Sequence, residues 1–367
     1  MSDDGMPAPV AKLDAQELLR EVNERSGAGL TFVGRAAAGE VGAGFVRWPD
    51  GRDGVLTRGF GSLDDLRRTA RVLDAARSGG LPVPQYQLLT EVTDGVAVVQ
   101  ERLPGRPPEV VDRALLEGMI ALTDRFAGLG ADLPVPSMYL LESGPGFCLH
   151  ESLLRYDGRT RRLLDWVREV GRDEPSGMTG DDLVHLDFHT GNVLVDEAGE
   201  LTGIVDWDGI GRGDRRFGLV TLRFDAESRL RFDAERRPPH VAAIQLQPDA
   251  DTRPPLDAAT RPVLDAEPRS QFAAQTQPRF DGESPLQLDG ETRPRFDGET
   301  GLRFDAGSEP LDAELGWFDE LLEGVLEPGV LRLYWAHMSL RLVDWSIRHH
   351  GPADTARWLD FAETRMS

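Results

Sequence analysis

Between residues 185 and 208 the chain is committed to one local shape. It reads His185-Leu186-Asp187-Phe188-His189-Thr190-Gly191-Asn192, then the short apolar run Val193-Leu194-Val195. A turn at Glu197-Ala198-Gly199-Glu200 leads to a second apolar run, Leu201 to Val205, which ends in Asp206-Trp207-Asp208. Such runs around a Gly-containing turn predict a loop, a strand, a turn, and a strand that delivers an acid. Asn is rare in this chain, at only Asn23 and Asn192, and one of the two falls in this loop. Asp187, Asn192 and Asp206 are the groups a phosphoryl-transfer site needs. One acid orients an acceptor hydroxyl or takes its proton, while an Asn and a second acid hold a divalent cation on nucleotide phosphates. An ordinary hairpin with acidic ends is the alternative.

The order and spacing resemble the kinase catalytic loop, His-x-Asp-x-x-x-x-Asn followed by a metal-binding Asp. Asp206-Trp207 where protein kinases have Asp-Phe-Gly is similar to the aminoglycoside phosphotransferase family, the small-molecule branch of the kinase-like fold. The resemblance covers about residues 30–220 and 311–365 and implies an α+β, bilobal, protein-kinase-like fold. A small β-rich nucleotide-binding lobe and hinge would occupy 1–105, and a larger, mostly helical lobe with the catalytic loop 106–220, completed by helices over 311–367. The resemblance also implies ATP and Mg2+ as cofactors and transfer of the γ-phosphoryl group to a hydroxyl of a small molecule. Asp187 would be the catalytic base or orienting acid, with Asn192 and Asp206 as metal ligands. Asp208 is a lesser candidate for metal or acceptor, His185 a brace for the loop, His189 a neighbour of the acceptor side, and Asp214 a structural acid.

Upstream, Leu13, Leu18, Leu19 and Val22 suit a short amphipathic helix. Strands are expected at 30–33, 45–48 and 54–58, with a glycine-rich segment at 34–44 between the first two. Such a segment drapes backbone N–H groups over phosphates in kinase-like folds, or is a plain loop. A helix is marked over 63–78 by Ser62 as N-cap, Asp64 and Asp65 at its positive end, and Gly79-Gly80 as its stop. Here the chain departs from the family, whose third strand carries a phosphate-gripping Lys paired to a Glu on the next helix. The single lysine is Lys12, and no Glu occurs between Glu40 and Glu91. Arg58 is the candidate replacement, with Asp65 or Asp74 as its partner, and an exposed strand-end charge is the alternative. Residues 96–101 read as a buried strand running into Pro104-Gly105. Under the resemblance this is the hinge, and the backbone of Glu101 to Leu103 would meet the adenine edge.

Helical spacing recurs over 109–128 and 150–170, and over three segments after Leu311. Trp335 and Trp345 could line an acceptor pocket, but core packing is the default for Trp at helical spacing. Between these blocks Asp recurs every eighth residue from Asp225 to Asp305, interrupted at Val241 and Ala273, within units near Arg-Phe/Leu-Asp-Ala/Gly-Glu. One large apolar residue per unit does not offset ~1–2 kcal/mol of backbone entropy per residue, so 221–310 is expected to be a disordered insertion. A repetitive β-structure or a partner-binding array stays open.

The formal charge of −22 argues against nucleic acid and anionic membranes as partners. It favours a cationic acceptor, or serves solubility alone. Cys148 is the only cysteine, so neither an intramolecular disulfide nor a Cys metal cage is available. No apolar run reaches the ~18–20 residues of a membrane span. The N-terminus lacks the basic and apolar regions of a signal peptide, so a cytoplasmic location is expected. The missing Lys and Glu motivate a second reading, a catalytically impaired pseudokinase or nucleotide-binding scaffold whose repeats bind a partner. Neither the acceptor's identity nor the oligomeric state is legible.

Overall fold

The computed structural model describes residues 13–36, 42–59, 61–131, 150–172, 178–236 and 311–366. Its N-terminal part opens with α1 (Ala15–Ser26), capped by the Asp14 carboxylate and stopped by Gly27 at φ +67°. Five antiparallel strands follow: β1 (Thr31–Arg35), β2 (Gly44–Arg47), β3 (Asp53–Gly59), β4 (Tyr86–Val92) and β5 (Gly95–Glu101), in the order β1-β2-β3-β5-β4. Between β3 and β4 lies α2 (Leu63–Ser78), with the Ser62 cap completed by a reciprocal Asp65 bond.

Register decides what each face of the sheet can do. Leu56 opposes Val99 and Arg58 opposes Ala97, so these share one face, and Leu56, Ala97 and Val99 pack there with Leu18, Leu19 and Val22 of α1. Thr57 opposes Val98 and Gly59 opposes Val96 on the other face, where Leu66 of α2 packs. A shift of one residue would exchange the two sets.

From Glu101 the chain crosses to the helical part through a segment seated on a hairpin of β7 (Val193–Val195) and β8 (Leu201–Ile204). Arg106 and Val195 exchange backbone hydrogen bonds of 2.9 and 2.8 Å. Gly105, at φ +97°, has no room for a side chain, since a Cβ would lie 2.3 Å from Thr202 Oγ1. The rest comprises α3 (Arg113–Thr123), α4 (His150–Tyr156), α5 (Gly158–Val170), β6 (Asp182–His185), β9 (Ile210–Gly213), α6 (Phe217–Arg236), α7 (Leu311–Val325), α8 (Pro328–His349) and α9 (Pro352–Glu363). β6 pairs antiparallel with β9. The expected helix over 150–170 is two, because Asp157 starts α5 by accepting from Thr160 N–H at 2.8 Å. The main core gathers Leu163, Val167, Leu183, Phe217, Leu340 and Val343.

The expected edge of the insertion at 221 is corrected. The α6 helix continues from Phe217 to Arg236, and its first octapeptide unit is core. Phe224 is buried against Trp335 and Phe361, with ring centroids 4.8 and 4.6 Å away. Arg223, 2% exposed, binds Glu227 at 2.6 Å and Asp319 at 2.8 Å. Charged residues placed i,i+4 satisfy one another inside the helix, which the repeat period concealed. Residues 237–310, and with them the units after the one at Asp233, lie outside the described residues, as do Lys12, Cys148 and part of the glycine-rich segment. Trp335 is a core residue, as packing predicts for its spacing. Among the described residues no helix is long and apolar enough to cross a membrane.

Candidate active site

The site is assembled where β6 ends. His185, 1% exposed, is the last residue of that strand. Its Nδ1 accepts the Asp187 N–H at 3.1 Å, which leaves Nε2 protonated to donate to the Val205 carbonyl at 3.0 Å. Burial pushes the imidazole down to about 4, so it stays neutral and holds this tautomer. The brace therefore joins the loop carrying Asp187 to the residue before Asp206. Val205 N–H also donates to the Asn192 carbonyl at 2.9 Å. Two segments distant in sequence are thereby locked side by side.

Asp187 receives donors on both oxygens. Arg341 of α8 donates to Oδ1 at 3.0 Å, while His189 Nε2 and the Asn192 amide nitrogen meet Oδ2 at 3.2 and 3.3 Å. Burial alone would raise this carboxyl. The charge of Arg341 and the hydrogen bond from His189 overcome that and hold it well below the usual carboxylate range. With its nitrogen facing Asp187, Asn192 turns Oδ1 the other way, free to ligate. Asp206 is the only described non-glycine residue with a positive φ, at 63°. That strained backbone at the strand end is the type of conformation kept where a side chain must be aimed. Crowding by protein, then the Asp187 charge, pushes the Asp206 carboxyl up. Crowding and the Asp206 charge push Asp208 up to about 7.

These groups suit Mg2+. The available donors are hard oxygens, and two mutually repelling carboxyls beside each other gain from a cation. Among the described residues no group of three His, Cys, Asp or Glu forms a closed metal cage. An Asn and an Asp that share a cation with phosphates and water do not need one.

The hinge and the third strand fare differently. Glu101 uses its N–H on the Gln85 carbonyl at 2.8 Å and its carboxylate on Arg77, so its backbone carbonyl is the group left for a base edge. Leu103 packs over Gly203 of β8, where a Cβ would come within 2.9 Å of its side chain. Arg58 is corrected. It lies on the α1 face of β3, and its nearest acid is Asp94 at 3.9 Å, neither Asp65 nor Asp74. Asp65 is engaged by Ser62 and Arg68. The face that looks at the acids carries Thr57, Val98 and Tyr86, as Tyr86 shows: burial, then the charges of Asp208 and Asp206, push its hydroxyl well above the ordinary range. Asp214 is structural, accepting from Arg216 N–H at 2.9 Å and from Tyr334 at 3.0 Å.

Arg341, Tyr86, Thr190 and Asp225 were not legible as site residues. The first two come from elements remote in sequence, and the last lies in a repeat unit. Only the His-Asp-Asn spacing signalled the site locally.

Residues 38–258 match the phosphotransferase enzyme family, APH, and the chain belongs to that family. It is a small-molecule phosphotransferase acting on hydroxyl groups. No curated protein matches it in sequence. Among solved structures, a thermostable mutant of aminoglycoside phosphotransferase APH(4)-Ia in ternary complex with AMP-PNP and hygromycin B aligns with TM-score 0.53 and 14% identity, over 96% of this chain and 98% of that one. A second mutant of that enzyme, with ADP and hygromycin B, aligns with TM-score 0.51 and 14% identity, over 96% and 97% of the two chains. At that identity the likeness shows a shared kinase-like fold.

Proposed function

We propose that this enzyme transfers the γ-phosphoryl group of ATP, with Mg2+, to a hydroxyl of a small cationic molecule. The observation that carries this is the His185 brace, which fixes Asp187 and Asn192 on one side and Val205-Asp206 on the other through bonds of 3.1, 3.0 and 2.9 Å. Asn192 Oδ1 and the Asp206 carboxylate hold the cation, which when bound neutralises phosphate charge. The Glu101 carbonyl and Leu103 backbone take the adenine edge. The acceptor oxygen forms a bond to the γ-phosphorus as the bond to the bridging oxygen of ADP breaks. Asp187 accepts the acceptor's hydrogen bond first. Because its carboxylate is held far below the usual range, the proton transfers late, once the oxygen has become acidic. The cationic preference rests on the chain's −22 charge, and the named neighbours' aminoglycoside complex is consistent with it.

Melting of the protein with ATP, with and without MgCl2, and ATP consumption against a panel of hydroxylated metabolites and antibiotics test the reading. A magnesium-dependent stabilisation, plus turnover that Asp187→Ala abolishes while nucleotide binding persists, supports it. Nucleotide binding indifferent to metal would favour the scaffold alternative, for which the absence of a lysine on the cleft face of β3 is the motive.

A further inference from the structure

Thr190 stands between the acid and the metal-ligating Asn, and it is fully buried. It opens a single 3-10 turn, Thr190–Asn192, closed by one backbone bond from Asn192 N–H to the His189 carbonyl at 3.0 Å. So short a turn has little restraint of its own. The restraint comes from α6. Oδ2 of Asp225 accepts both the Thr190 N–H at 2.9 Å and its Oγ1–H at 2.5 Å. Arg229, one helical turn on, donates Nε to both oxygens of the same carboxylate at 3.1 and 3.2 Å, which fixes its rotamer. The Asp225 side chain is 15% exposed, so these bonds face little competition from water.

The consequences run both ways along the loop. On one side of Thr190, His189 donates to Asp187, and its Nδ1 accepts Gly191 N–H at 3.0 Å. On the other, Asn192 contacts Asp187 and is stitched to Val205. One anchored residue therefore sets the distance between the group that meets the acceptor and a group that meets the metal.

We propose that Asp225 is a positioning residue for phosphoryl transfer, acting through Thr190 to set the placement of Asp187 relative to Asn192. This rests on the phosphotransferase reading above.

The test uses the full chain and titrates ADP by calorimetry with and without MgCl2, alongside thermal melting. In wild type, magnesium tightens ADP binding. Asp225→Asn is expected to leave metal-free ADP affinity within about two-fold and to cut the magnesium-dependent gain by about ten-fold or more, about 1.4 kcal/mol of coupling. Thr190→Val, which deletes the hydroxyl donor, is expected to move the gain in the same direction, and Thr190→Ser to restore it. If Asp225→Asn does not fold, the Val and Ser variants of Thr190 decide alone. Retention of the full magnesium gain in Asp225→Asn or Thr190→Val, or a fall in melting temperature without a change in that gain, overturns the proposal. Absence of any gain in wild type overturns the phosphotransferase reading itself, which separates the two failures.

Discussion

Arg341 of α8 donates Nη2 to Oδ1 of Asp187 at 3.0 Å across a sequence separation of 154 residues. Its Nη1 binds the carbonyl of Leu186, the residue before. The orientation of the reacting acid is thus set from a helix whose Leu340 and Val343 lie in the main core. Packing and chemistry are coupled at this point, because α8 cannot shift without turning the carboxylate.

Replacing Arg341 with Gln removes the charge and one of the two donors while keeping most of the side chain's bulk. Turnover is expected to fall by about 10²-fold, the scale on which small misplacements of a catalytic group act. The ATP KM should change by only a few-fold, because Asp187 and Leu186, which Arg341 holds, are not the groups that take the adenine edge. Steady-state ATP consumption with any acceptor found in the panel measures both constants. Wild-type turnover in this variant would show that Asp187 is oriented by the loop alone.

What the sequence revealed, and what it hid, divides by distance along the chain. The catalytic loop, the strands around it and the Ser62 cap of α2 depend on residues a few positions apart, and spacing rules reach that far. Arg341, Tyr86 and Asp225 act over separations that no periodicity encodes. Arg58 looked suitable because its charge is visible in sequence and its face is not. Only the pairing of Arg58 with Ala97 shows that it points toward α1. The start of the repeat array was misjudged for a different reason. Arg223, Asp225 and Glu227 read as solvated charges, yet each has a partner inside the fold.

His185 predicts a pH dependence of stability. Its folded-state value is about 4, below the ordinary 6.5 of an unfolded chain, so between these limits the unfolded state binds more protons. The contribution is therefore fully present above pH ~6.5 and is lost as pH falls toward about 4, amounting to roughly 3 kcal/mol across that window. Denaturant unfolding of metal-free protein at several pH values measures it. His185→Asn should be less stable at neutral pH and show a shallower slope over this window. An unchanged slope would assign the effect to other groups.

Asp208 should behave in the opposite sense in the absence of metal. Crowding and the Asp206 charge raise its carboxyl to about 7, so the ionised form is disfavoured in the folded state at neutral pH. Stability contributed by its protonated form is present below the unfolded carboxylate value and is lost as pH rises toward about 7. Asp208→Asn is expected to raise the melting temperature of metal-free protein by a few degrees, while Asp206→Asn abolishes the magnesium-dependent shift with nucleotide. Differential scanning fluorimetry with and without MgCl2 reads both effects. A melting temperature for Asp208→Asn below that of wild type would count against the electrostatic account.

Removal of residues 237–305 tests how much of the chain the enzyme uses. The described residues on either side of that stretch belong to one compact unit. Its units carry few large apolar side chains, a composition from which no packed core is expected. The elements flanking it are already committed elsewhere. Phe224 is fixed by Trp335 and Phe361, and Arg223 by Asp319 of α7, so α6 and α7 are joined by a half-buried ion pair at 2.8 Å. Because Arg229 and Asp225 precede the cut, the bonds to Thr190 survive it. The shortened chain, closed with a flexible Gly/Ser linker, is expected to melt within a few degrees of the full protein and to keep its magnesium-dependent nucleotide shift. Loss of the shift in a variant that still melts cooperatively would mean that the repeat segment contributes to the site, and the boundary drawn at Arg236 would then be misplaced.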